Sequence, residues 1–118
     1  MYCTSVDSVI GTARDASGDG WKSRRLVLAS EGRPYSVHET TVAAGARLHF
    51  CYRHHSETVY CLKGAAKLTN FDDGRTYNIG PGGLYSVSIG DDHQLDVTEE
   101  CVFICVFNPP LHGQEEAD

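Results

Sequence analysis

The sequence contains no long run of apolar residues. Its hydrophobic stretches stay well below the ~20 residues of a membrane-spanning helix. The first fifteen residues, MYCTSVDSVIGTARD, have neither the basic start nor the apolar core of a signal peptide. These two absences predict a cytoplasmic protein without a membrane partner. The chain has 118 residues, 41% of them hydrophobic and 22% charged, so we expect residues 1–118 to form one globular domain.

Positive charge is also scarce. Ten Lys and Arg residues stand against sixteen Asp and Glu residues, and the net charge at pH 7 is −6. Proteins that bind nucleic acids or anionic membrane surfaces usually present a basic patch. The one basic cluster, KSRR at residues 22–25, is short. The charge therefore predicts no nucleic-acid partner.

The cysteines do not suggest a disulfide framework. There are five, an odd number at irregular spacing: Cys3, Cys51, Cys61, Cys101 and Cys105. Such a pattern favours free thiols in a reducing compartment. The spacing Cys101-x3-Cys105 would suit a metal pair. However, positions 101, 103 and 105 share one face of an apolar strand, so we expect these thiols to pack as small hydrophobic groups.

Helical periodicity is almost absent. Apart from a possible short helix at residues 7–10, the chain shows short runs of strand-forming residues separated by Gly, Asp-Gly and Pro-Gly turns. This pattern predicts an all-β barrel or sandwich of about nine strands. The expected strands are 25–28, 35–42, 48–52, 58–62, 65–69, 76–79, 84–88, 94–97 and 101–107.

Residues with metal or acid–base chemistry concentrate in one segment, CYRHHSE at 51–57. From Gly45 to Gly64 its spacing resembles the first cupin motif, Gly-x5-His-x-His-x3-Glu-x6-Gly. Cys51 and Arg53 occupy the two histidine positions, so Glu57 is the only usual metal ligand left. A conventional three-histidine site is excluded.

Five segments resemble the ectoine synthase family in order and at matching intervals: WKSRRL at 21–26, HETT at 38–41, ETVYC at 57–61, PGGLY at 81–85 and CVFNPPL at 105–111. The resemblance covers nearly the whole chain. It implies a small cupin barrel of the jelly-roll type and a homodimer. It also implies a hydro-lyase that closes N-γ-acetyl-L-2,4-diaminobutyrate into the compatible solute ectoine with loss of water.

The resemblance also implies a set of site residues. Iron(II) would be the cofactor, held by Glu57, Tyr85 and His93. Such a hard oxygen, oxygen and nitrogen set suits iron(II) better than a thiolate site would. Tyr52 and Glu115 would carry the proton transfers. The small-molecule substrate would contact Trp21, Ser23, Arg25, Thr40, Cys105 and Phe107.

Two departures from the family pattern keep other functions open. Ala117 stands where these enzymes commonly have histidine, and the sequence ends at Asp118, before the usual C-terminal extension. A cupin that binds a small polar metabolite without turnover, or an enzyme for another N-acylated amino acid, is therefore an alternative. Trp21 could instead anchor the core. His54 and His55 are expected to face solvent, with His55 the better candidate for the edge of a site.

Overall fold

The computed structural model of the protein describes residues 1–113 as eight strands and two short helical segments. No helix in this range is long and apolar enough to cross a membrane. The elements are α1 (Val6–Val9), β1 (Asp15–Gly18), β2 (Trp21–Val27), a 3-10 helix (Ala29–Glu31), β3 (Ser36–Val42), β4 (Arg47–Phe50), β5 (Ser56–Asn70), β6 (Thr76–Ile79), β7 (Leu84–Val87) and β8 (His93–Asn108).

The start of the short N-terminal helix is stabilised because two of its free backbone amide groups bond to serine side chains. The amide of Ser8 donates to Ser5 Oγ at 3.1 Å, and the amide of Ser5 donates to Ser8 Oγ at 3.2 Å. This reciprocal capping box fixes the start of α1. α1 covers Val6–Val9, which confirms the short helix predicted at residues 7–10. Val9, its last residue, is buried.

All strands belong to one antiparallel sheet, in the order β1-β2-β3-β8-β5-β6, with β4 paired to β8 and β7 paired to β5. The two longest strands, β5 and β8, run side by side from the Ser56–Asn108 pair to the Asn70–His93 pair. The sheet rolls up, and alternate residues of its strands point inward to form the core. Within residues 1–113 no ladder joins β1 to β6, so the hydrogen bonds do not close the roll completely.

A glycine allows β5 and β8 to approach closely at the centre of their pairing. Gly64 has φ +101°, in the left-handed region. A Cβ atom there would lie 2.6 Å from the Cα of Cys101 and 2.7 Å from its Sγ. A larger residue would separate the strands, so glycine is required at this position for both conformation and space.

Four strands differ from the predicted ones by more than two residues at an end or were not predicted. β5 unites the predicted strands 58–62 and 65–69, and β8 unites the predicted strands 94–97 and 101–107. The pairing of the two strands is irregular between Cys61 and Ala66, and this irregularity accommodates the residues that look like a break in the sequence. β1 was not predicted. β2 begins at Trp21, four residues before the predicted start. The predicted all-β fold is confirmed, with eight strands instead of about nine.

An ion pair joins the loop before β1 to the 3-10 helix. Arg14 Nη1 and Nη2 donate to the two carboxylate oxygens of Glu31 at 2.7 and 2.9 Å. The amide of Leu28 also donates to Glu31 Oε1, at 2.9 Å. These bonds lower the pKa of Glu31 from 4.5 to about 2, and the bond from Arg14 has the largest effect. Four donors, including Ser30, therefore stabilise the ionised carboxylate.

We expect Glu31→Gln to lower the free energy of unfolding at pH 7 by about 1–3 kcal/mol, because hydrogen bonds to charged groups are the stronger ones. The pKa of Glu31 is lower in the folded chain than in the unfolded chain. The carboxylate therefore stabilises the fold above its ordinary pKa of 4.5 and loses this contribution as pH falls toward about 2. Urea unfolding at several pH values measures the difference, which shrinks in acid.

Asp96→Asn is the matched control for this prediction. Asp96 also pairs with an arginine, Arg47, at 2.7 Å, but the arginine side chain is 74% exposed. Such pairs contribute only about 0–1 kcal/mol. Equal losses of stability in the two variants would contradict the importance assigned to Glu31.

Candidate active site

One cavity of about 700 Å³ lies inside the rolled sheet. Nearly all of the predicted site residues line it. His93 lies behind its wall, and Glu115, like Ala117, falls outside the described residues. The predicted residues that line the cavity are Trp21, Ser23, Arg25, Thr40, Tyr52, Glu57, Tyr85, Cys105 and Phe107.

The two-residue period of the strands brings these side chains together. Trp21, Ser23 and Arg25 are alternate residues of β2, so all three face the cavity. Ser23 is paired with Thr40 across β2 and β3. Glu57 is paired with Phe107 across β5 and β8. Residues far apart in sequence therefore meet because the strand register places them opposite one another.

Glu57 is the most deeply placed charged group of the cavity. Its carboxyl is buried and hydrogen-bonds to the side chains of Tyr52 and Cys105. Burial raises the pKa of Glu57 to about 7, although these two hydrogen bonds act in the opposite direction. A carboxylate is therefore costly here unless a cation or further donors compensate its charge.

A row of small polar groups leads away from Glu57 across β8, β3 and β2. The Sγ atom of Cys105 lies 3.7 Å from Thr40 Oγ1, and Thr40 Oγ1 donates to Ser23 Oγ at 3.4 Å. Burial raises the pKa of the Cys105 thiol well above its ordinary value, so the thiol is neutral near pH 7. This side of the cavity is polar but uncharged.

The two tyrosines of the cavity keep their protons. Burial raises the pKa values of Tyr52 and Tyr85 well above 10, and the nearby Glu57 carboxylate adds to the effect. Tyr52 is buried while its neighbours Cys51 and Arg53 are exposed, which confirms the facing expected from alternation. In the metal-free protein both phenols are hydrogen-bond donors.

His93 is buried with one ring nitrogen satisfied and the other without a partner. Its Nδ1–H donates to the carbonyl of Asp91 at 2.9 Å, which leaves the lone pair on Nε2. Within residues 1–113, Nε2 is buried and has no hydrogen-bond partner. The ring packs against Tyr52 and Tyr85, with centroid distances of 5.9 and 6.4 Å. A buried lone pair oriented by a backbone carbonyl is typical of a metal-ligating histidine.

Glu57, Tyr85 and His93 have the properties that a divalent cation requires. Burial disfavours the ionised form of the Glu57 carboxyl, and among residues 1–113 the Nε2 atom of His93 has no hydrogen-bond partner. In the part of the chain that the structure describes, no three His, Cys, Asp or Glu residues form a metal cluster. The Tyr85 phenol is the third donor that the family resemblance predicts, and it lines the cavity beside Glu57. The donor set fits iron(II), and its role remains a prediction.

Aromatic side chains form the apolar walls of the cavity. Tyr52 stacks on Phe50 at 5.6 Å and meets Phe107 edge-on at 5.3 Å. Trp21 lines the cavity and also packs against the core, so its predicted roles as a substrate contact and as a core anchor are compatible. Its indole ring lies over Gly18. The walls can therefore exclude water from a bound ligand.

Sequence reasoning missed the cavity histidine His38, and it expected His55 at the edge of a site but with the wrong exposure. His55 was expected to face solvent, and this was wrong: it is buried, and its Nδ1–H donates to the carbonyl of Pro109 at 2.8 Å. The turn folds back against the end of β8, which no local signal predicts. His54 is exposed, as expected. His38 is buried and lines the cavity, and its two-residue spacing from Thr40 could have identified it.

The rolled sheet with its polar cavity places the protein in the cupin class. A RmlC-like cupin from Shewanella frigidimarina has the same fold, with a TM-score of 0.66 over 80% of this chain and 81% of that chain, at 20% identity. Within this class the chain belongs to the ectoine synthase family, because the family model for ectoine synthase matches residues 1–118.

Full-length relatives agree with this assignment. The L-ectoine synthase of Mycobacteroides abscessus is 43% identical over 118 residues, covering 100% of this chain and 91% of the relative. The crystal structure of the ectoine synthase from P. lautus superposes with a TM-score of 0.91 at 34% identity. This match covers 96% of this chain and 81% of that chain.

We expect Gly18→Ala to displace Trp21 from the cavity wall. A Cβ atom at position 18 would lie 2.7 Å from Cζ2 of the indole, closer than atoms can approach. Trp21 is the only tryptophan, so its emission spectrum reports its surroundings directly. The emission maximum should shift to longer wavelength as the ring becomes more exposed.

Gly80→Ala is the matched control, because a Cβ atom there meets nothing within 4 Å. Its emission spectrum should equal that of the wild type. An unchanged spectrum in Gly18→Ala would show that the position of the Trp21 indole does not require glycine at residue 18.

Proposed function

We propose that the protein catalyses the cyclising dehydration of N-γ-acetyl-L-2,4-diaminobutyrate to ectoine. The observation that carries this proposal is the full-length family match, joined to a single cavity lined by nearly all of the predicted site residues. The reaction is that of a hydro-lyase. The free α-amine attacks the amide carbonyl of the same molecule, and the resulting adduct loses water.

The first task of the cavity is to hold the substrate folded. The amine and the carbonyl are joined by a short flexible chain, so ring closure needs a particular conformation. Holding reacting groups in a productive orientation can lower a barrier by up to ~7–11 kcal/mol. Trp21 and Phe107 both belong to the apolar part of the cavity lining. They also exclude bulk water, which would oppose a dehydration.

Polar groups on β2 and β3 suit the charged end of the substrate. Arg25 lines the cavity and can hold the substrate carboxylate with two parallel hydrogen bonds. Ser23 and Thr40 lie beside each other and can donate or accept hydrogen bonds. The thiol of Cys105 is neutral, so it forms part of the cavity wall without adding a charge. In the described part of the chain, this side of the cavity thus combines Arg25 with uncharged polar neighbours.

Tyr52 is positioned to donate a proton. Its raised pKa keeps the phenol protonated at the pH of the cell, and a leaving hydroxide is basic enough to take this proton. The tyrosine hydroxyl is already hydrogen-bonded to Glu57, so it points into the polar part of the cavity. Glu115 is proposed for the other proton transfer, from the substrate nitrogen.

Iron(II) is the proposed cofactor, with Glu57, Tyr85 and His93 as its ligands. The raised pKa of Glu57 and the unpaired Nε2 of His93 support this assignment. When bound, the ion would act as a Lewis acid toward the amide carbonyl. The backbone carbonyl of Asp91 orients the His93 ring for this role.

We expect Glu57→Gln to weaken binding of iron(II) more than about 100-fold, because loss of a direct ligand exceeds the 10–100-fold cost of losing an outer partner. Anaerobic reconstitution followed by elemental analysis measures the bound metal. Glu100→Gln is the control, since this side chain is 56% exposed and lies outside the cavity. Equal metal content in both variants would remove Glu57 from the ligand set.

The activity itself has a direct assay. Anaerobically purified, iron-reconstituted protein should convert N-γ-acetyl-L-2,4-diaminobutyrate to ectoine, followed by chromatography. Tyr52→Phe should lower kcat by about 10²–10⁴-fold, the range of a general acid. Tyr77→Phe is the control, because Tyr77 is exposed and lies outside the cavity.

Other outcomes of this assay favour the alternatives. Substrate binding without turnover in the wild type would indicate a binding protein. Conversion of a different N-acylated amino acid, detected by mass spectrometry, would indicate a related enzyme with changed specificity. Either result would contradict the proposed reaction.

We also propose that the enzyme is a cytoplasmic homodimer. The five cysteines are free, which is consistent with a reducing compartment. Tyr60, Leu62 and Leu84 leave apolar surface exposed on β5 and β7, where a second copy could cover it. Small-angle scattering at several concentrations distinguishes a dimer from a monomer.

A further inference from the structure

Six apolar side chains line a part of the cavity that holds none of the predicted substrate contacts or metal ligands. Four of the six are only 2% exposed, so this part is shielded from solvent. We call it the apolar end of the cavity. Its residues are Val42, Leu48, Phe50, Val59, Leu95 and Phe103.

The register of β2 and β3 separates the apolar end from the polar groups. The inward-facing residue changes from Thr40 to Val42 along β3, and from Arg25 and Ser23 to Trp21 along β2. Ser23 is paired with Thr40, and Trp21 is paired with Val42. Both strands therefore change from polar to apolar side chains at the same level.

The strands β5 and β8 change in the matching direction, because neighbouring strands of the sheet are antiparallel. Along β5 the inward-facing residue changes from Glu57 to Val59, and along β8 from Cys105 to Phe103. Phe107 lies at the level of Glu57, with which it is paired. The cavity therefore has a polar end and an apolar end.

The proposed metal ligands border the apolar end. Val59 is paired with Tyr85 across β5 and β7, and it follows Glu57 by one inward position. Phe50 is paired with His93, and the two rings pack with a centroid distance of 5.6 Å. A group that lies against these ligands therefore also lies next to apolar side chains.

The proposed substrate has one apolar group, its acyl chain. Its carboxylate suits Arg25 at the polar end, and its amide carbonyl is proposed to face the metal ligands. The carbon attached to that carbonyl then extends toward Val59 and Phe50. An acetyl group places a single methyl group there. Each further methylene group buried against apolar side chains would strengthen binding.

We propose that the apolar end is an acyl-binding pocket and that the enzyme also closes N-γ-acyl-L-2,4-diaminobutyrates with propionyl or butyryl chains. The amino acid stays the same. The α-amine forms a C–N bond to the acyl carbonyl carbon, and the oxygen leaves as water with two of the three nitrogen-bound protons. The products are ectoine homologues with a longer alkyl group in place of the ring methyl group. This inference rests on the proposed function.

The wild-type enzyme tests the substrate range directly. Anaerobically purified, iron-reconstituted protein is assayed with the acetyl, propionyl and butyryl substrates, and mass spectrometry identifies the cyclic products. KM should fall about fourfold for each added methylene group. The N-γ-succinyl substrate is the matched control, because it carries a carboxylate where the butyryl chain has its methyl group. A charge at the apolar end is costly, so we expect no closure of this substrate.

Binding is measured separately with N-acetyl- and N-butyryl-4-aminobutyrate, which lack the α-amine and cannot cyclise. Trp21 is the only tryptophan and is paired with Val42 at the apolar end, so its emission responds to ligands bound there. The butyryl analogue should bind about tenfold more tightly than the acetyl analogue. Equal dissociation constants overturn the acyl-binding pocket.

Substitutions at Val42 locate the acyl chain. Val42→Ile adds a methyl group at the apolar end, and we expect it to lower the ratio of kcat/KM for the butyryl to the acetyl substrate about tenfold. Val42→Ala should raise this ratio. The same changes at Val97 are the control, because Val97 is also buried but lies outside the cavity. Both substrates are compared in one preparation, so the ratio does not depend on the folded fraction.

The outcomes separate this inference from the proposed function. No cyclic product from any substrate refutes the proposed function, and the dissociation constants of the two analogues still test the pocket. Closure of the acetyl substrate alone, or closure of the succinyl and butyryl substrates equally well, overturns the pocket and leaves the proposed function intact. An unchanged ratio in both Val42 variants overturns the assignment of the acyl chain to the apolar end.

Discussion

The antiparallel pairing of β5 with β8 holds the sheet together, because every other strand is attached directly or through β3 to one of these two. β3 and β4 pair with β8, while β6 and β7 pair with β5. The pairing stays continuous across an irregular centre only because Gly64 allows the backbones to approach. The same two strands supply Glu57, Cys105 and Phe107 to the cavity. The framework and the site therefore depend on one ladder.

The register of that ladder decides the chemistry of the interior. It places a carboxyl at Glu57 among neutral hydroxyl, thiol and aromatic groups, where burial raises its pKa to about 7. Close by, the His93 ring is oriented by the Asp91 carbonyl, and among residues 1–113 its Nε2 has no hydrogen-bond partner. Both groups cost free energy when they are uncompensated. Binding of the proposed iron(II) and of a polar substrate would offset this cost.

Local sequence signals predicted the elements better than their boundaries. Gly and charged residues at 63–64 and 98–100 look like turns, yet β5 and β8 continue through them because the neighbouring strands keep the backbone hydrogen bonds satisfied. The start of β2 was also missed. The polar residues Lys22, Ser23 and Arg24 resemble a loop, although of these three only Ser23 lines the cavity, where a ligand-binding barrel needs polar groups.

The sequence by itself determined the all-β class, the family and nine of the residues that line the cavity. The class follows from two-residue alternation and turn signals, whereas the family and the nine residues follow from motifs that resemble ectoine synthase. Only the tertiary structure decided that His55 is buried and that Ser36 hydrogen-bonds to His38 and to Leu111. The hydrogen bond between Leu111 and Ser36 joins positions 75 residues apart. Such contacts depend on strand register and burial, which no local pattern encodes.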